Sequence, residues 1–104
     1  MRGRYAIGYA VGAKEQLDLL LAQQHVRGGE RAVEALIGKL DGAFATLSMF
    51  PYYGAVPNQE KLAELGYRKL VLHPFVLVYA VNERKREAEI RGVFHHRQNY
   101  EEEL

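Results

Sequence analysis

The sequence predicts an α+β fold of order β-α-α-β-β-β, with two helices packed on one antiparallel sheet. Three observations predict it. Residues 5–11 alternate large and small, residues 13–49 carry apolar side chains at helical spacings, and three β-patterned runs follow Gly66, joined by connections too short for parallel crossovers. With 104 residues the chain has room for one domain, residues 1–104, around one core. A hydrophobic fraction of 48% and a charged fraction of 26% set aside disorder and fibrous repeats.

The first strand is expected where Tyr5, Ile7, Tyr9 and Val11 alternate with Ala6, Gly8 and Ala10. Its small-residue face is the one expected to lie close under a helix. Leu17, Leu20 and Leu21 then mark a first helix over residues 13–24, ended by Arg27-Gly28-Gly29. A second helix over residues 30–49 follows from Val33, Leu36, Ile37, Leu40, Phe44 and Leu47. Gly38 and Gly42 weaken its propensity by up to ~1 kcal/mol each relative to alanine, and are expected to let the first helix approach. Phe50-Pro51 ends it, residues 52–59 form a loop, and residues 60–65 a turn of helix.

Three strands are expected over residues 67–72, 75–81 and 87–94, joined as hairpins at His73-Pro74 and at residues 82–86. The middle one is apolar on both faces and is expected to be central. In the last, Ala88, Ile90, Gly92 and Phe94 alternate with Glu89 and Arg91, so the first set is expected to face the helices. Asn99 is placed to cap a closing helical turn carrying Glu101, Glu102 and Glu103.

The chain has no cysteine, so it holds neither disulfides nor thiolate metal ligands. His25, His73, His95 and His96 lack zinc-ligand spacing, and no cofactor or metal is expected. Residues 5–11 are too short and glycine-interrupted for a signal segment, and no apolar run approaches the ~18 residues of a membrane span, so a cytoplasmic protein with no membrane partner is expected. Net charge is +1, and setting aside Glu101, Glu102 and Glu103 leaves +4, a modestly basic body with an acidic end.

Three short segments, Leu62-Ala63-Glu64-Leu65-Gly66-Tyr67-Arg68-Lys69-Leu70, Val78-Tyr79-Ala80-Val81 and Val93-Phe94-His95-His96-Arg97-Gln98-Asn99-Tyr100, follow one another within 39 residues. In that order they resemble the RelE/ParE superfamily, toxins of type II toxin–antitoxin (plasmid stabilisation) systems. The family shows a tyrosine-arginine-x-leucine strand, a valine-x-tyrosine-x-valine strand and a closing histidine-x-arginine-glutamine-aspartate segment. Ala13 and Leu17 match its first helix, and Phe50-Pro51 the exit from its second. The resemblance implies a growth-inhibiting toxin neutralised by a cognate antitoxin, in a toxin–antitoxin hetero-oligomer or a homo-oligomer. Two branches differ in target, ParE-like members poisoning DNA gyrase and RelE-like members cleaving ribosome-bound mRNA without a metal.

If the chain were such a nuclease, the resemblance would make Arg68, Arg97, His96 and Tyr100 its catalytic residues. Arg68 and Arg97 would stabilise the charge developing on phosphate, while His96, an imidazole and so able to act as acid or base, or Tyr100 would move the proton. Only one of His95 and His96 is expected to face such a cleft, because adjacent side chains on a strand point to opposite faces. Two departures weigh against it: Val76 and Leu77 stand where RelE-like nucleases carry a catalytic arginine, and Leu70 replaces a second basic residue. A ParE-like or new target is therefore favoured, with a RelE-like endonuclease and a non-toxic antitoxin-binding module as alternatives. Structural alternatives stand beside each residue: Arg68 pairing with Glu64, Arg97 with Glu89, Tyr79 in the core, Arg84, Lys85 and Arg86 as a solubilising turn. Tyr52-Tyr53 is suited equally to a partner contact or to packing.

Overall fold

In the computed structural model, which describes residues 3–104, the chain runs β1 (Ala6–Tyr9), α1 (Ala13–Met49), α2 (Glu60–Glu64), β2 (Tyr67–Leu72), β3 (Phe75–Asn82), β4 (Glu87–His95) and a closing 3-10 turn (Tyr100–Glu103). The helix count differs from expectation. One helical element covers both expected helices, interrupted at Gly29, whose φ of 69° and ψ of −160° are not helical. A straight helix of 37 residues would run about 55 Å at 1.5 Å per residue, beyond the molecule's longest extent of 41 Å, so α1 bends there. Its positive φ is the reason a glycine stands at the bend.

Both limbs of α1 face the same side of the sheet. Leu17 and Leu20 from residues 13–28, and Leu36, Leu40, Ala43 and Leu47 from residues 30–49, pack on Phe75, Leu77, Tyr79, Ala88, Ile90 and Val93. Each fully buried leucine contributes roughly 1.5–3 kcal/mol of apolar burial. A Cβ on Gly38 or Gly42 would meet nothing within 4 Å, so these glycines look outward and do not seat the first limb. A second cluster, Leu62, Tyr67, Val76, Val78, Phe94 and Tyr100, covers the opposite face. That explains why β3 is apolar on both sides.

The four strands lie in the order β1-β4-β3-β2. β2, β3 and β4 form the expected antiparallel hairpins, but β1 runs parallel to β4, from Ala6↔Glu87 to Tyr9↔Ile90, so the sheet is mixed rather than antiparallel. Hairpins fix the relative directions of β2 to β4 locally, whereas the direction of β1 depends on where α1 returns. It returns beside the start of β1: Tyr5 N donates to Ser48 O at 2.9 Å and Ser48 Oγ to Tyr5 O at 2.8 Å. The face of β1 that meets α1 carries the large residues. Ile7 packs on the core and Tyr9 sets its ring edge-on to Phe44 at 6.4 Å, while Gly8 is held against the Glu87 carboxylate.

β4 breaks its alternation at a bulge, where Val78 pairs Gly92 but Tyr79 pairs Ile90, leaving Arg91 extra. Val93 therefore faces α1, and Phe94 turns to the other face, contrary to strict alternation. Gly92 is required there, since a Cβ would overlap the Phe94 ring. Beyond the bulge β1 has ended, and the Gln16 side chain replaces it: Val93 N donates to Gln16 Oε1 at 2.9 Å and Gln16 Nε2 donates to Val93 O at 2.5 Å. Asn99 precedes the closing turn without making a side-chain cap. No helix among the described residues is long and apolar enough to cross a membrane.

Candidate functional site

The sheet has two unlike ends, and the residues singled out from the sequence divide between them. At the end formed by the β3–β4 turn, polar groups are matched. The Tyr79 hydroxyl, buried on the α1 face, accepts from Gly54 N at 2.8 Å and donates to Pro51 O at 2.7 Å, and burial pushes its pKa up. Arg68, paired with Tyr79 across the strands, donates from Nε to Gly54 O at 3.0 Å and from Nη2 to Tyr52 O at 3.3 Å, with its guanidinium 5.4 Å from the Tyr52 ring. It grips the loop after α1 rather than Glu64. Ala55 and Lys69 exchange two backbone bonds at 2.8 Å, and a Cβ on Gly54 would lie 2.6 Å from Lys69 O.

Glu83 completes this end by accepting from the hydroxyls of Tyr5 and Tyr52. Those bonds, Tyr5's first, hold its carboxyl below the usual carboxylate range, with help from Arg86. The bond to Glu83 in turn pushes Tyr52 up to about 12. Arg86, at φ 50°, stacks 4.5 Å over the Tyr5 ring and donates to Gly3 O at 2.8 Å, while Arg84 and Lys85 stay exposed.

Tyr100 belongs to neither end's chemistry. It is buried on the face away from α1, stacked on Phe94 at 5.3 Å, with its hydroxyl 3.4 Å from Gln59 Nε2.

At the far end, where β2 turns into β3 and β4 exits, three histidines gather. His73 and His96 stack at 5.2 Å with 15° between planes, and the His95 ring lies 4.6 Å from that of His96. His96 is anchored to Pro74 O twice, by its backbone N at 2.8 Å and by Nδ1 at 2.9 Å. The carbonyl can only accept, so Nδ1 carries the proton and Nε2 is turned away from that bond. His95 Nδ1 accepts from Arg97 N at 3.2 Å, which leaves the proton of its neutral ring on Nε2. Partial burial lowers the His95 pKa, and the charges of His96, Arg97, Arg27 and His73 lower it further. Glu89 pairs with Arg91 at 2.7 Å, so it does not brace Arg97.

His96 and Arg97 are thus adjacent, but Arg68 and Tyr100 do not join them. Arg68 sits at the Tyr79 register, four residues along the strand from the Phe75↔His95 pair, about 13 Å at the rise of an extended chain. Val76 and Leu77 are buried, and Leu70 packs on the α1 core. His73 and Arg27 are the corner's unforeseen members. The hairpin register would have brought His73 beside His96, whereas the charge of Arg27 reaches His95 from α1, a long-range relation that no local pattern specifies. No group of three or more metal-ligating side chains among the described residues is arranged to hold an ion.

The chain is similar to the chromosomal ParDE toxin–antitoxin system from P. aeruginosa, with TM-score 0.67 and 19% identity over 88% of this chain and 96% of that one. It is also similar to the RelBE2 toxin–antitoxin complex from Mycobacterium tuberculosis, with TM-score 0.62 and 20% identity over 91% of this chain and 94% of that one. At such identities these likenesses speak for the fold. No curated protein sequence matches the chain. The profile of the ParE toxin of the type II toxin–antitoxin system, parDE, matches residues 7–100, nearly the whole chain, and the chain therefore belongs to the ParE toxin family of type II toxin–antitoxin systems.

Proposed function

We propose that the chain arrests growth when free, is neutralised in the cytoplasm by a cognate antitoxin, and acts by binding its target rather than by cutting RNA. The target carried over from the ParE branch is DNA gyrase. The observation behind this reading is that the four residues the resemblance would make catalytic in a metal-free ribonuclease, Arg68, Arg97, His96 and Tyr100, are not brought together in one cleft. In-line attack on a phosphodiester leaves charge on the phosphoryl oxygens that must be met by several donors within hydrogen-bond reach of one another. Here Arg68 is committed to two loop carbonyls, Tyr100 is packed away on the other face, and Val76 and Leu77 are core. The antitoxin partnership is supported by the two similar structures, both of toxin–antitoxin systems.

The test is controlled expression in a bacterium with and without the neighbouring open reading frame, followed by assays of purified protein with gyrase. Growth arrest relieved by the neighbour, with supercoiling blocked or cleaved DNA trapped and messages intact, is expected. Cleavage of ribosome-bound message would move the chain to the RelE-like reading, which the adjacency of His96 and Arg97 favours. Normal growth with soluble, antitoxin-binding protein would leave it a binding module without toxicity.

A further inference from the structure

The corner at the exit of β4 concentrates positive and protonatable groups from three parts of the chain. His73 comes from the β2–β3 turn and His95, His96 and Arg97 from the end of β4 and the segment after it, while the charge of Arg27 on α1 reaches His95. Neither arginine forms an ion pair among the described residues. The nearest acidic run in sequence, Glu101 to Glu103, lies on the 3-10 turn, where Glu103 accepts from Gln98 and pairs with neither arginine. A folded chain of near-neutral charge has gathered like charges at one place with no ion pair to either arginine among the described residues.

We propose that this corner is a phosphate-binding site that takes the phosphodiester backbone of DNA. The geometry suits an oxyanion. In its neutral form His95 offers an Nε2–H, and His96 on protonation gains an Nε2–H while Nδ1 stays on Pro74 O. Arg97, exposed and adjacent in sequence, with its charge felt at His95, can give two parallel guanidinium bonds to phosphate oxygens. The nearly parallel His73 and His96 rings make a flat wall beside these donors. Phosphate is favoured over a carboxylate because the donors come from separate elements around one corner, matching an anion with oxygens on all sides. The site does not rest on the gyrase reading, since it requires only a phosphodiester. Its affinity rises as pH falls toward the range where imidazoles protonate, because the anion relieves the repulsion of His95 by His96, Arg97, Arg27 and His73.

The experiment uses the full chain and follows the histidine ring nitrogens by NMR during titration with inorganic phosphate and, separately, with a duplex DNA oligonucleotide. Expected are shifts at His73, His95 and His96 in both arms, with duplex binding about tenfold weaker in an Arg27→Gln/Arg97→Gln variant and its salt slope reduced by roughly two. An Arg84→Gln/Lys85→Gln variant removes the same charge from the opposite end and should bind as the parent does. Shifts with phosphate but no duplex binding would overturn the DNA assignment and leave a small-anion site. Unmoved imidazoles, equal losses in both double variants, or a response to a glutamate-rich peptide without one to phosphate would overturn the site altogether.

Discussion

The two ends of the sheet are built from similar residue types and reach opposite outcomes. At the β3–β4 end, Tyr79, Arg68, Tyr52, Tyr5 and Glu83 each have a partner, and the result is a fastened loop. At the β4 exit, the rings of His73, His95 and His96 gather within electrostatic reach of Arg27 and Arg97, and neither arginine forms an ion pair among the described residues. Matched polar groups hold a fold; gathered like charges spend some stability and make sense only if something outside the chain meets them. An arginine's role therefore follows from whether the chain already satisfies it.

The largest effect that would sharpen this contrast is Tyr79→Phe, which strands the buried Gly54 N–H and the Pro51 carbonyl. It should cost about 2–4 kcal/mol in denaturant unfolding, and an unchanged midpoint would break the claim that this end is structural. Next, Arg68→Gln should cost about 1–2 kcal/mol through the freed Gly54 and Tyr52 carbonyls. If its unfolding matched the parent's, Arg68 would have to be reconsidered as a functional group.

A smaller effect is expected from pH at the other end. Because the folded state holds His95 below the ordinary imidazole range, the unfolded chain takes up that proton first. The histidine thus costs nothing above about pH 6.5, and stability falls as the solution is acidified from there toward the lower folded value. Unfolding followed between neutral and mildly acidic pH should show this slope flattened in His95→Gln; equal slopes would count against it. Smallest of all, Arg97→Gln should leave stability within about 0.5 kcal/mol of the parent, as expected for an exposed side chain with no partner. A larger loss in thermal unfolding would make it a brace.

Most of the frame was readable in the sequence because it is periodic. The hairpins at His73-Pro74 and residues 82–86, the doubly apolar β3 and the break at Gly28-Gly29 each leave a local signature. What was not readable depends on residues far apart. The parallel pairing of β1 with β4, the strand-like bonds of Gln16 to Val93 and the reach of the Arg27 charge to His95 all depend on where α1 lies against the sheet. The bulge at Arg91 shifts a single residue and so reversed the faces assigned to Gly92 and Phe94. Of the site, the His96–Arg97 pair was legible, but Arg68 and Tyr100 were placed by family position rather than by the contacts that engage them.

Toxicity compared across three chains tests the account most directly: the parent, Arg68→Gln, and the double variant Arg27→Gln/Arg97→Gln, each induced at equal soluble level in one bacterial strain. Growth arrest by the parent and by Arg68→Gln, with relief in the double variant, is the predicted result. Arrest by the double variant undiminished, or its loss in a folded Arg68→Gln protein, would contradict the division between a structural end and a functional one.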